Sequence, residues 1–80
     1  MPSLIIYRDS SGADTLRTYS VFLDGHKIAE VRDGERLTFP IADGEHTVQA
    51  SIAWAKCKVV KFVVSDRDVI FNVEKQHVRH

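Results

Sequence analysis

The chain has few of the residues that cross-link a fold or anchor it in a membrane. Cys57 is its one cysteine, so no disulfide can form within the chain, and a disulfide-stapled secreted scaffold is excluded. No apolar run approaches a length of about 18 residues, which a transmembrane helix would need. The first residues carry no basic leader and no long apolar segment, so no signal peptide is predicted. We therefore expect a cytoplasmic protein without membrane insertion.

The chain also lacks net charge, because 11 lysines and arginines balance 11 aspartates and glutamates. There is no overall field to attract a polyanion, so a nucleic-acid partner is not expected. Its 80 residues make one domain. We assign residues 1–75 to that domain and expect the polar residues 76–80 to form a frayed tail.

The middle of the chain contains a ladder of Asp-Gly pairs at intervals of nine and ten residues. Asp-Gly between short β-rich runs predicts a tight hairpin, because glycine adopts positive φ freely and aspartate tolerates it. We assign structural turns to these three pairs: Asp24-Gly25, Asp33-Gly34 and Asp43-Gly44. Turns at this spacing are typical of an antiparallel sandwich or small barrel.

The runs between the turns predict no substantial helix and about seven strands. These are residues 4–8, 16–23, 26–31, 36–41, 46–54, 59–64 and 69–74. Each run has one apolar face to bury, and two sheets packed face to face would bury all of these faces. The fold class is therefore an all-β, antiparallel, immunoglobulin-like β-sandwich. The predicted core is Ile6, Tyr19, Val21, Leu23, Ile28, Leu37, Phe39, Ile41, Val48, Ile52, Trp54, Val60, Phe62, Val69, Phe71 and Val73.

Residues 36–41 show the cleanest alternation, with Leu37 and Phe39 on the dry face. Pro40 lacks a backbone N–H group, which favours an edge position for this strand. The polar face, Arg36, Thr38 and Pro40, is therefore a candidate edge for a partner strand. The first strand, residues 4–8, is the other candidate edge.

Four short stretches resemble PEGA-like β-sandwich domains: residues 21–31 (VFLDGHKIAEV), Gly34-Glu35, residues 39–41 (FPI) and residues 44–48 (GEHTV). The resemblance covers residues 19–74, although Ala42-Asp43-Gly44-Glu45 departs from the Pro-Ala-Gly or Pro-Pro-Gly turn usual in that family. It implies a sandwich fold and a non-catalytic accessory or binding domain, often attached to a larger surface or signalling protein. It supplies no catalytic residues.

Two metal-binding hypotheses start from scattered ligand-type residues. The histidines are His26, His46, His77 and His80, but they lack the close spacing of a zinc motif. A structural role is favoured for His46, which could hydrogen-bond the corner before it. The turn carboxylates could bind calcium; they are Asp24, Asp33, Glu35, Asp43, Glu45, Asp66 and Asp68. Aspartate in turns more often bonds the backbone, so no metal or other cofactor is predicted.

Two single residues invite other hypotheses. Cys57, between Lys56 and Lys58, could be a reactive thiolate of an enzyme, although an inert cysteine is favoured. Trp54 could stack on a sugar together with Tyr7 and Tyr19, but its parity favours the core. The remaining cations are interleaved with acids and are expected on a solvated face: Arg8, Arg17, Lys27, Arg32, Arg36 and Lys61.

The sequence therefore predicts a non-catalytic interaction module whose partner is a protein, either a different chain or a second copy. Binding would occur by addition of a strand to an exposed sheet edge, or at a loop end. The alternative is a carbohydrate-binding or cell-surface accessory module.

Overall fold

The computed structural model describes residues 2–8, 18–32, 34–52, 55–56 and 58–79, which form strands and turns without a helix. The strands of these residues are β1 (Ser3–Tyr7), β2 (Tyr19–Leu23), β3 (His26–Val31), β4 (Arg36–Pro40), β5 (Gly44–Ile52), β6 (Ala55–Lys56), β7 (Val60–Val64), β8 (Val69–Asn72) and β9 (His77–Arg79). Asp33, Trp54, Cys57 and His80, and Arg17 before β2, lie outside the described residues, so the predictions made for them stay predictions.

The strands form two sheets, which we call the front and back sheets. The front sheet has the order β4-β1-β8-β9. The back sheet has the order β3-β2-β5-β6, and β7 also pairs with β5. The apolar faces of both sheets contribute to one core, so the all-β sandwich expected from the sequence is confirmed.

One pairing departs from the antiparallel pattern. β1 lies parallel to β8, with Ile6 opposite Phe71, whereas β1 and β4 are antiparallel. A parallel pair needs a long connection rather than a hairpin. Nearly the whole chain connects these two strands, so local turn signals do not reveal their pairing. The first strand is consequently interior to its sheet, and the prediction that it could be an edge was wrong.

The Asp24-Gly25 turn is the tight hairpin that its sequence predicts. It joins β2 directly to β3, and both of its residues have positive φ, 51° and 84°. Two positive φ values in succession define the type I′ turn, whose twist matches that of the flanking strands. The positive φ values that this turn requires therefore explain why Asp and Gly occupy it.

The core follows the period of two along the strands. Its buried members are Leu4, Ile6, Val21, Val31, Ile41, Val48, Ala50, Phe62, Val64, Val69, Phe71 and Val73. Of the other predicted core residues, Tyr19, Leu23, Ile28, Leu37, Phe39 and Val60 are partly buried against it. Ile52 is half-buried. Four buried residues were not predicted as core: Leu4, Val31, Ala50 and Val64. Leu4, Val31 and Val64 stand at the ends of predicted strands, where the alternation is less evident, and Ala50 has a small side chain.

The polar C-terminal residues are more ordered than the sequence indicates. Residues 76–80 were expected to fray, but β9 pairs with β8, with Asn72 opposite His77 and Ile70 opposite Arg79. The prediction of a frayed tail was therefore wrong for β9. Its neighbouring strand supplies hydrogen bonds that composition does not reveal. With β9 and the two-residue β6, the described residues contain two more strands than predicted.

Candidate functional site

β4 is an edge strand, because its one pairing within the described residues is with β1. Ile41 N–H donates to Pro2 O at 3.0 Å, and Arg8 N–H donates to Glu35 O at 3.1 Å. The backbone groups of successive residues in a strand point to opposite sides. Odd-numbered residues of this segment therefore face β1, and the even-numbered ones face away from it.

The outward-facing residues are the three that the sequence singled out. Arg36 and Thr38 each direct a backbone N–H and C=O away from β1, while Pro40 offers a C=O alone. Their side chains are exposed, whereas those of Leu37 and Phe39 are half-buried against the core. The result is a short, regular edge with alternating side chains, which is the form that accepts an added strand.

The other edge strands within the described residues are less suited to pairing. β3 pairs with β2 through a register shift between Val21 and Phe22, and such a bulge twists an edge away from an incoming strand. β7 and β9 lie against each other. Just before these strands, Lys58 N–H donates to the Gln76 side chain at 3.2 Å. β4 is therefore the most regular open edge.

A cleft of about 450 Å³ adjoins β4 on the outer face of the front sheet. Arg36 lines one side of it and Arg79 of β9 also lines it, with Tyr7 and Ile70 between them. A second cleft, of about 200 Å³, shares Tyr7, Ile70 and Arg79 and adds Lys75 and His77. The cationic side chains of three separate segments thus converge on one surface.

Tyr7 is held at the centre of this surface by Asn72. The Asn72 Nδ2 amide donates to the Tyr7 hydroxyl at 3.0 Å. The Asn72 Oδ1 atom accepts the backbone N–H groups of Glu74 and Lys75 at 3.1 and 3.2 Å. Buried Asn72 therefore fixes both the tyrosine and the turn that carries Lys75.

Arg8 is buried, and its expected place on a solvated face was wrong. Its side chain is 0% exposed, and its Nε donates to Glu74 Oε1 at 3.0 Å. The guanidinium carbon also lies 4.9 Å from the centre of the Tyr19 ring, in cation–π geometry. A carboxylate and an aromatic face from distant parts of the chain compensate this burial, and neither is visible beside Arg8 in the sequence.

His46 ties the β2–β3 hairpin to the start of β5. Its Nδ1 lies 2.6 Å from Asp24 Oδ2, and its Nε2 lies 2.8 Å from Ala42 O. The other Asp24 oxygen accepts Thr47 N–H at 2.8 Å. The hydrogen bond that the sequence predicts from His46 to the corner before it is therefore confirmed, at Ala42.

Both ring nitrogens of His46 face acceptors, so the doubly protonated cation satisfies the site best. The hydrogen bond from Asp24 raises the pKa of His46, desolvation opposes this, and Ala42 adds to the increase. The same bond, followed by that from Thr47, lowers the pKa of Asp24. In the doubly protonated form the histidine ring has no free lone pair.

We expect the stability contributed by this pair to be greatest in mildly acidic solution. The His46 contribution is fully present below the ordinary histidine pKa of about 6.5 and is lost as pH rises through the raised folded-state pKa. The Asp24 contribution is present above about pH 3.9 and is lost as pH falls through the lowered pKa. Urea unfolding midpoints from pH 5 to pH 9 should therefore decline on the alkaline side.

The His46→Gln variant should flatten that alkaline decline, because it removes the titrating ring. His77→Gln is the matched control, since His77 is exposed on β9, and it should keep the wild-type profile. An unchanged pH profile in His46→Gln would contradict the assignment of the decline to this pair.

The histidines and turn carboxylates that the structure describes do not converge on a metal site. Within the described residues, no group of three His, Cys, Asp or Glu side chains is placed to hold a metal ion. Asp43 Oδ1 accepts Asp66 N–H at 2.8 Å, and Asp68 Oδ1 accepts Ser3 N–H at 2.9 Å. These turn carboxylates bond the backbone.

The glycines of the two later Asp-Gly pairs also lie where the chain changes direction. Gly34, with φ of 72°, precedes β4, and Gly44, with φ of 123°, begins β5. Asp43 stands immediately before Gly44, at the bend that the sequence predicts.

The fold and the open edge define a small all-β sandwich with an exposed pairing strand. No family model, curated protein or solved structure matches the chain. The likeness to PEGA-like domains therefore stays a prediction. No helix in the described ranges is long and apolar enough to cross a membrane.

Proposed function

We propose that this chain is a non-catalytic interaction module that binds a protein partner by addition of a strand to β4. The observation that supports it is the position of β4 at the sheet edge, with Arg36 and Thr38 directing backbone groups away from β1. An added strand would pair with these groups, and the alternating side chains of β4 would supply specificity.

The side chains of β4 favour pairing over aggregation. Its inner residues, Leu37 and Phe39, pack against the core. Its outer residues are a cation, a hydroxyl and a proline. A charge and a proline on an edge restrict unselective sheet growth, so the edge admits a partner of limited length.

Replacing Thr38 by proline should abolish partner capture. The Thr38 N–H points away from β1, so its loss removes no bond of the sheet, but an added strand loses a donor and meets the proline ring. One lost hydrogen bond weakens binding by about tenfold, and the steric block adds to this. The measurement is affinity capture from lysate with the tagged domain, read by mass spectrometry.

Thr38→Val is the matched control, because it keeps the backbone N–H and removes only the hydroxyl. Capture of one protein by wild type and Thr38→Val, but not by Thr38→Pro, would support the proposal. Far-UV circular dichroism must show that each variant is folded. Equal capture by folded Thr38→Pro would contradict edge addition, and so would failure of the wild-type domain to enrich any protein.

Self-association through the same edge is tested by sedimentation of the purified domain. A wild-type dimer that becomes a monomer in Thr38→Pro would identify the partner strand as β4 of a second copy. A dimer that persists in Thr38→Pro would place self-association on another surface.

A further inference from the structure

We infer that the cleft beside β4 binds a carboxylate side chain, and that the strand added to β4 is therefore acidic. This inference rests on the proposed function and specifies the chemistry of its partner. The observation that carries it is the convergence of Arg36, Arg79 and Tyr7 on one cleft.

The two guanidinium groups are available to a ligand. Neither the Arg36 nor the Arg79 guanidinium makes a hydrogen bond or ion pair with a described residue, in contrast to the paired side chains of Arg8 and Lys27. Glu35 is the carboxylate that lines the cleft, and its Oε1 already accepts the Arg32 N–H at 2.9 Å. The described cleft therefore has a surplus of cationic donors.

The Tyr7 hydroxyl adds a neutral donor between the cations. It accepts a hydrogen bond from Asn72, and its own proton has no acceptor among the described residues. Two guanidinium groups flanking a phenol outnumber the one carboxylate among the described lining residues, Glu35, which already accepts the Arg32 N–H. Carboxylates accept such charge-assisted hydrogen bonds, and arginine binds them in bidentate geometry.

The sheet register links this cleft to the open edge. Arg36 lies opposite Tyr7 of β1 in the sheet, on the same outer face. A strand added to β4 would lie about 5 Å beyond it. Its side chains on the outer face would stand next to Arg36, so an aspartate or glutamate there would reach the guanidinium directly.

This chemistry favours a different protein over a second copy of this chain. β4 has the sequence RLTFP, which contains no carboxylate. Two copies paired through β4 would leave the guanidinium groups of both without an anion. Nucleic acid is also less suited, because single strands usually stack on several aromatic side chains. Among the described residues, Tyr7 is the one phenol, indole or phenyl ring that lines these two clefts, and His77 adds an imidazole.

The test is selection from a phage-displayed library of random peptides of about ten residues, the upper length of ordinary strands. We expect enriched peptides to carry acidic residues at alternate positions, because alternate side chains share a face. Binding of one synthesised winner should fall by about fivefold in Arg36→Gln, the effect of one exposed ion pair. It should fall by less in Arg79→Gln, because β9 lies three strands from β4. It should also weaken as salt rises.

Lys61→Gln is the matched control, because Lys61 is an exposed cation on β7 of the back sheet. It should bind the acidic peptide like wild type. Changes in the Nε–Hε resonances of Arg36 and Arg79 on peptide addition, observed by NMR, would locate the carboxylate independently of affinity.

Strand addition to β4 and the acidic character of the partner would be overturned by different results. Enriched peptides without acidic bias, whose binding Thr38→Pro abolishes, would overturn the acidic partner and leave strand addition standing. No enrichment above the starting library would overturn both. Tighter binding of a single-stranded DNA of about 16 nucleotides, lost in Arg36→Gln and Arg79→Gln, would reassign the cleft to nucleic acid. A dimer through β4 that excludes peptide would assign the edge to a second copy.

Discussion

Replacing Phe71 by alanine is expected to remove a large part of the domain's free energy of unfolding. Phe71 is 0% exposed at the centre of the front sheet, with Ile6 of β1 on one side and Val78 of β9 on the other. Truncation of a buried phenylalanine costs about 3 to 5 kcal/mol, because transfer energy is lost and a cavity remains. A domain of 80 residues has a total stability of about 4 to 12 kcal/mol, so this loss is a large part of it.

Urea unfolding followed by circular dichroism measures the effect. The matched control is Val63→Ala, because Val63 is 52% exposed on β7 and its truncation should cost less than about 1 kcal/mol. Similar unfolding midpoints for the two variants would contradict the assigned core.

Neutralising Glu74 is expected to have the next largest effect, through Arg8. Glu74→Gln keeps the size of the side chain but removes the negative charge that faces the buried guanidinium at 3.0 Å. Breaking a fully buried pair costs about 3 to 5 kcal/mol. The Glu74 side chain is 24% exposed, so solvent reduces the loss, and we expect about 2 kcal/mol. Urea unfolding at neutral pH measures it.

Replacing both partners distinguishes a broken pair from poor packing. Arg8→Met combined with Glu74→Gln removes the buried cation as well as its counter-charge, and similar replacements of buried pairs are often neutral. The double variant should therefore be more stable than the sum of the single losses predicts. Additive losses would contradict a direct interaction between Arg8 and Glu74.

Local features of this fold are readable from the sequence. The Asp24-Gly25 turn was predictable, because only a few residue types accept two successive positive φ values. The exposed and inner faces of β4 were predictable from the alternation of Arg36 and Thr38 with Leu37 and Phe39. The same alternation, with Pro40, indicated the edge strand that the sheet order shows.

Features that depend on distant parts of the chain were not readable. Arg8 looks like a surface residue until Glu74 and Tyr19 are placed beside it. β9 is polar and short, and its pairing with β8 makes it a strand. The convergence of Arg36 and Arg79 on Tyr7 depends on the order of the front sheet, which includes the parallel pair that no turn signals. In each case tertiary pairing decides the outcome.

The open edge of β4 is the central claim, and amide hydrogen exchange of the free protein, read residue by residue by NMR, tests it most directly. The N–H groups of Leu37 and Phe39 face β1, whereas those of Arg36 and Thr38 face away from it. Hydrogen-bonded amides within a sheet exchange only on local or global opening. We predict that Arg36 and Thr38 exchange at least about tenfold faster than Leu37 and Phe39. Equal protection of all four amides would show that the edge is already paired and would contradict the account.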